Sequence, residues 1–161
     1  MGDIMIKFRV VCVGNIKEQY LKEANSEYSK RINKYAKIEI IECHEEKLSP
    51  NPNTAEIDKV LDAEADSIIK NLAGFSVLCD IDAKEFSSTG LAEFIKAKTL
   101  ENSTITFVIG SSYGVSNRVR EKVQDRISFS KCTFPHMLMR VILLEQIYRS
   151  LAIINNATYH K

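Results

Sequence analysis

The chain has 161 residues with 22 Lys/Arg against 21 Asp/Glu, a formal net charge of +1, 45% hydrophobic and 27% charged residues. That length fits a single domain, 1–161, able to bury a core without disulfides or a structural metal, and the apolar content excludes a disordered chain. No apolar run approaches the roughly 20 residues that cross a bilayer, and the start, Met1-Gly2-Asp3-Ile4-Met5, lacks the basic-then-apolar pattern of a secretory signal.

In chain order, Ile6 to Val13 reads as a buried strand ended by Gly14. Lys17 to Tyr35 reads as a helix, with Tyr20, Leu21, Ala24, Tyr28 and Ile32 near helical spacing. Lys37 to Glu42 alternates charged and apolar residues, the pattern of a second strand. The stretch Glu45 to Asn53, with two prolines and two asparagines, reads as a surface loop. Thr54 then caps a helix to about Ala73, with Glu56 and Asp58 near its positive end. Phe75 to Ile81 is a strand, and Ser87 or Ser88 opens a helix to about Leu100. Thr104 to Ile109 is a strand of β-branched and aromatic residues. A short helix over Val115 to Val123, a short strand over Arg126 to Phe129 and a long apolar helix over His136 to Ile154, led in by Pro135, complete the chain.

Strands alternating with helices predict an α/β domain with a mainly parallel sheet. Ligands of such sheets bind beyond the carboxyl ends of the strands. The loops after Asp80, Ile109 and Phe129 fall there. The second of them, Gly110-Ser111-Ser112-Tyr113-Gly114, is a glycine turn running into a helix, but it is neither GxGxxG nor a Walker loop. A plain strand-to-helix turn has the same appearance. The third falls in the segment Ile127 to His136, rich in hydroxyls and aromatics that suit an amino-acid moiety and an adenine slot, or merely a loop packing its own rings. His136 by itself reads as a hydrogen-bonding residue at a helix start.

Cys12, Cys43, Cys79 and Cys132 form no CxxC pair, which argues against a zinc site, and reduced thiols suit the cytoplasm. No metal is expected. Charge is uneven. Residues 1–102 hold 14 Lys/Arg and 18 Asp/Glu, whereas residues 103–161 hold 8 and 3. The C-terminal part is therefore where a polyanion would meet the protein, although chance placement over one surface gives the same tally. The final helix is apolar nearly all round, which calls for burial on more than one side, and a second subunit could supply it. Glu145 and Arg149 are spaced as a helix ion pair. The tail Tyr159-His160-Lys161 combines an aromatic, an imidazole and a cation, as an unpaired RNA base requires, or simply frays.

Taken together, Gly110 to Gly114, Phe129 to His136, Met139-Arg140-Val141 with Glu145 to Arg149, and Tyr159-His160-Lys161 resemble the RlmH family in order and spacing. Val11 to Glu18 and Lys30-Arg31-Ile32 resemble its opening, so the similarity covers nearly the whole chain. That family comprises SPOUT-class enzymes that methylate N3 of a pseudouridine in 23S rRNA. The resemblance implies S-adenosylmethionine as cofactor, a C-terminal trefoil knot, a homodimer and a substrate presented on the ribosome. It implies a cofactor pocket of Cys79, Gly110, Phe129, Ser130, Lys131, Cys132, Thr133 and Phe134. It implies that Tyr159 and His160 position the base, that Arg149 stabilises charge on its carbonyl oxygens, and that Arg140 and Lys161 hold phosphate or orient the loop. Ser111 stands where the family usually has a second glycine. If that position needs φ > 0, serine strains it by about 1 kcal/mol or more. Two other readings remain open on the residues alone: a non-enzymatic nucleotide-binding or regulatory α/β domain, and a methyltransferase for a small molecule.

Overall fold

The computed structural model describes residues 5–159. It contains β1 (Lys7–Val13), α1 (Gln19–Ile32), β2 (Lys37–Cys43), α2 (Thr54–Lys70), β3 (Phe75–Cys79), α3 (Ser88–Glu101), β4 (Thr104–Ile109), α4 (Asn117–Lys122), β5 (Asp125–Ile127) and α5 (His136–Ile154). Every element expected from the sequence is present, with ends shifted by a few residues. The five strands form one sheet in the order β2-β1-β4-β3-β5, and every pairing is parallel.

A parallel sheet must be covered on both faces, and the period-2 geometry of its strands divides the apolar residues between two cores. Phe8, Val10 and Cys12 of β1, with Ile105, Phe107 and Ile109 of β4, face one way and pack against Ile32, Ile95, Leu143 and Ile147. Val11, Val13 and Val108 face the other way and pack against Ala65, Ile68 and Val119. Helices α1, α3 and α5 therefore cover one face, with α5 between the other two, while α2 and α4 cover the second. Burying a Leu, Ile or Phe completely contributes about 1.5–3 kcal/mol, so the first core, centred on the stacked Phe8 and Phe107 rings 6.5 Å apart, is the main source of stability.

Two local expectations need correcting. The cap of α2 is Asn53, whose side chain accepts the Glu56 N–H at 2.8 Å, and Thr54 is already helical. The side chain of Glu56 in turn accepts from Ser49 N–H and Oγ at 2.9 and 2.7 Å, which pins the proline-containing loop. The apolarity of α5 is largely used within its own chain: Leu143, Leu144 and Ile147 are fully buried between α1, α3 and the sheet. What remains for a second subunit is a narrower strip, Leu138 at 39% exposure with half-buried Val141 and Ile142 beside it.

Candidate cofactor and methyl-transfer site

The direction of the crossovers creates the site. The chain leaves β3 and β5 for α3 and α5 on one face, but leaves β4 for α4 on the other. Their connections diverge at the carboxyl edge, and a crevice opens where they part. It holds a cavity of about 650 Å³, within the range of small-molecule sites. Its apolar wall includes Leu78, Ile109, Phe129, Phe134 and Met139; its polar wall includes Asp80, Ser111, Ser112, Ser128, Ser130 and Thr133.

Gly110 makes the first turn possible by its size. A Cβ there would lie 2.4 Å from the Gly114 carbonyl oxygen and 2.8 Å from Val115 Cγ1. The turn closes by Ser111 N–H donating to Gly114 O at 3.2 Å and Gly114 N–H to Ser111 O at 2.9 Å. Ser111 does not have a positive φ; among the described residues the non-glycine residue that does is Asn156. The strain expected at Ser111 is therefore absent, and the loop keeps its shape with serine there.

The loop after β5 is set by its own hydroxyls. Ser128 Oγ donates to Ser130 O at 3.1 Å, and Cys132 N–H donates to Ser130 Oγ at 2.9 Å. Among the described residues, the N–H groups of Lys131, Thr133 and Phe134 have no hydrogen-bond partner, so they are free for a ligand. Cys79, Gly110, Phe129, Ser130, Cys132, Thr133 and Phe134 all line the cavity; Lys131 is exposed and does not. Burial pushes the Cys79 thiol up to about 12, so it is a small apolar wall residue and no nucleophile.

A polar centre not singled out in the sequence lies at the end of β3. Asp80, with its side chain 5% exposed, accepts from Arg120 and, at 3.2 Å, from Arg126. Burial acts to raise its carboxyl, but the Asp82 N–H and the two guanidiniums outweigh burial and hold it below the usual carboxylate range. The three residues are 40 and 46 positions apart, and no spacing rule connects them.

The tail residues form a separate cluster. Arg149 Nη2 pairs with Glu145 Oε1 at 2.7 Å, Tyr159 Oη donates to Glu145 Oε2 at 3.0 Å, and the Arg149 guanidinium lies 4.9 Å from the Tyr159 ring centre. Tyr159 also meets Tyr148 edge-on at 4.7 Å. Neither Arg149 nor Tyr159 lines the cavity. His160 and Lys161 lie outside the described residues. Arg140 is 1% exposed, donating to Glu42 Oε2 at 2.7 Å and to the Gly14 carbonyl at 3.1 Å. It cannot hold a phosphate from there; of the two roles expected, orienting a loop is the one its surroundings allow. Among the described residues, no group of three or more His, Cys, Asp or Glu is placed to hold a metal ion. No described helix is long and apolar enough to cross a membrane.

The family model described as "Predicted SPOUT methyltransferase" matches residues 6–160. The chain belongs to the SPOUT methyltransferase family. A Methanococcus vannielii protein named "Putative ribosomal RNA large subunit methyltransferase H" is 50% identical over 155 residues, covering 94% of this chain and 98% of that one. A Carboxydothermus hydrogenoformans protein named "Ribosomal RNA large subunit methyltransferase H" is 42% identical over 159 residues, covering 97% of this chain and all of that one. Among solved structures, a "probable methylase family protein from Haemophilus influenzae Rd KW20" shares the fold, with a TM-score of 0.51 at 12% identity over 98% of this chain and 71% of that one.

Proposed function

We propose that this protein methylates N3 of a pseudouridine in 23S ribosomal RNA, using S-adenosylmethionine, as a cytoplasmic homodimer acting on the ribosome. The observation that carries this reading is the cavity bounded by the Gly110–Gly114 turn and the 128–134 loop. Its residues fit the cofactor: Phe129, Phe134, Leu78 and Ile109 offer an apolar slot for a purine, and the free N–H groups of Lys131, Thr133 and Phe134 offer donors to an amino-acid carboxylate. When bound there, the cofactor supplies an electrophilic methyl group. The C-terminal trefoil knot belongs to the same reading, supported by β5 lying beside β3 and Ser128 beside Glu85 before α5 packs between α1 and α3.

The protein's part is placement. A reacting nitrogen must be held within about 3–3.5 Å of the methyl carbon and in line with it. Arg149 stabilises charge on the base's carbonyl oxygens, Tyr159 and His160 position the base, and Lys161 holds phosphate. Arg149 lies ten residues beyond Met139, the last residue of α5 to line the cavity, and ten residues of helix span about 15 Å. One chain therefore separates the two clusters. A symmetric dimer across Phe134, Leu138, Val141 and Ile142 would bring the tail cluster of one copy to the cavity of the other.

The test pairs two measurements on a chain lacking residues 159–161: calorimetry with S-adenosylmethionine, and methyl transfer to free 23S rRNA, large subunits and whole ribosomes. Cofactor affinity stays within a few-fold and transfer to ribosomes falls by about 100-fold or more, from lost alignment. Transfer that survives truncation within a few-fold sinks the tail assignment. An intact protein that methylates no ribosomal substrate sinks the reading.

A further inference from the structure

Ser112, His136 and Glu45 come from three separate connections and meet on the β1 side of the cavity. Ser112 lies in the turn after β4, His136 opens α5, and Glu45 lies in the loop after β2. Ser112 Oγ and His136 Nδ1 are 3.3 Å apart. His136 Nε2 faces Glu45 Oε1 at 3.7 Å, and that nitrogen is buried without a hydrogen-bond partner among the described residues. The carboxylate therefore selects the tautomer with its proton on Nε2, leaving Nδ1 to accept from the serine. Gly14 keeps this approach open: its φ is +91°, and a Cβ there would lie 2.7 Å from Glu45 Oε2 and 3.5 Å from His136 Nε2.

Ser112 and His136 line the cavity. Of the other titratable groups there, Asp80 and Arg120 are paired with each other, Asp80 also with Arg126, Cys79 is kept protonated by burial, and Asp82, Tyr113 and Cys132 are exposed. Methylation of an N–H nitrogen needs a proton acceptor, and histidine is the side chain suited to that exchange near neutral pH.

We propose that Ser112, His136 and Glu45 form a proton relay that removes the proton from the nitrogen being methylated. The inference rests on the function proposed above. The N–H bond of the base breaks and its proton passes to Ser112 Oγ, as the serine's own proton passes to His136 Nδ1. The freed electron pair on nitrogen takes the methyl group, and the electrons of the broken carbon–sulfur bond stay on sulfur. Glu45 stabilises the resulting imidazolium, and solvent later takes the proton. The other charges bearing on this group are the positive start of α5, Arg140 one turn along it and matched by Glu42 of β2, and Glu64 of α2, which with Glu46 faces Glu45 from behind.

The experiment is single-turnover methylation of ribosomes at saturating S-adenosylmethionine from pH 5.5 to 9, on the intact chain and on H136N, S112A and E45Q. The intact chain loses rate at acid pH. H136N is slower by about 100-fold at neutral pH and no longer shows that limb, because general-base assistance is gone. E45Q is slower by about tenfold, since the imidazolium loses the carboxylate that faces it. The His136 ring-nitrogen resonances, assigned by their loss in H136N, show the proton on Nε2 in the intact chain and lose that preference in E45Q, a readout independent of turnover. H136N transferring within threefold of the intact chain, or E45Q unchanged in both rate and tautomer, overturns the relay. If H136N does not fold, E45Q and S112A decide it: both profiles unchanged overturns it as well. An intact chain inactive on every ribosomal substrate overturns the function and the relay with it, whereas an active chain with indifferent variants overturns the relay alone.

Discussion

Arg140 Nη1 and Glu42 Oε2 meet at 2.7 Å across 98 residues of sequence, joining the first turns of α5 to the end of β2. The same guanidinium also donates to the Gly14 carbonyl oxygen, and Glu42 also accepts from the Ile16 N–H at 3.2 Å. One buried cation thus holds the loop after β1 against the helix that follows the cavity.

Removing the carboxylate should be costly. In E42A the buried guanidinium loses its carboxylate partner and keeps only the Gly14 carbonyl, a loss of about 1–3 kcal/mol for a buried donor left unmade. E42Q keeps an acceptor oxygen and should lose less. Urea unfolding measures both, and an E42A midpoint equal to that of the intact chain contradicts the assignment.

The turn after β4 tolerates no side chain at its first position. G110A places a methyl group against the Gly114 carbonyl, which is backbone and cannot move aside alone. It should destabilise by about 1–3 kcal/mol, the cost of overpacking, and should abolish cofactor binding. S111G should not stabilise the protein, because Ser111 has no positive φ to relieve; the extra chain freedom costs about 0.4–1 kcal/mol instead. Thermal melts of the two variants give opposite answers if the serine were strained.

The proposed hold of the 128–134 loop on the cofactor is through its backbone. Cys132 is exposed and contributes its N–H to Ser130, so C132A should leave S-adenosylmethionine affinity within a few-fold. T133P removes a free N–H and fixes φ, and should weaken binding by tenfold or more, about the 1.4 kcal/mol of one hydrogen bond. Calorimetry that finds the two variants alike refutes the backbone role.

Asp80 makes stability depend on acid in a stated direction. Its folded carboxyl lies below the ordinary value, so the stabilisation is complete above about pH 4 and is lost as pH falls through the folded value. D80N should therefore be less stable than the intact chain at pH 7, by about 1–3 kcal/mol for hydrogen bonds to a charged group, and the gap should close on acidification. A gap that is constant from pH 7 to pH 2 shows that the carboxylate's charge is not the source.

Much of the fold was legible because the signals are local. Alternation in Phe8, Val10 and Cys12 marks a strand, and Pro135 before an apolar run marks where α5 begins. The loop from Phe129 to Phe134 stood out because its residues are contiguous and resemble a known family, and all of them but Lys131 line the cavity. What was not legible depends on pairs distant in sequence. Arg140 reads as a free cation until Glu42 and Gly14 are seen around it. Asp80 gains its two arginines only when β3, α4 and β5 come together. Ser112 and His136 are 24 residues apart with no spacing that joins them.

The central place of β4 also has a temporal meaning. Before residues 104–109 are made, β1 can pair only with β2, and β3 has neither of its neighbours. A ribosome synthesising this chain must deliver nearly two-thirds of it before the sheet can close, and α5 is added last. Pairings of such long range fold slowly and leave apolar edges open meanwhile. The apolar edges of β1 and β3 therefore stay unpaired in the nascent chain until its fourth strand emerges.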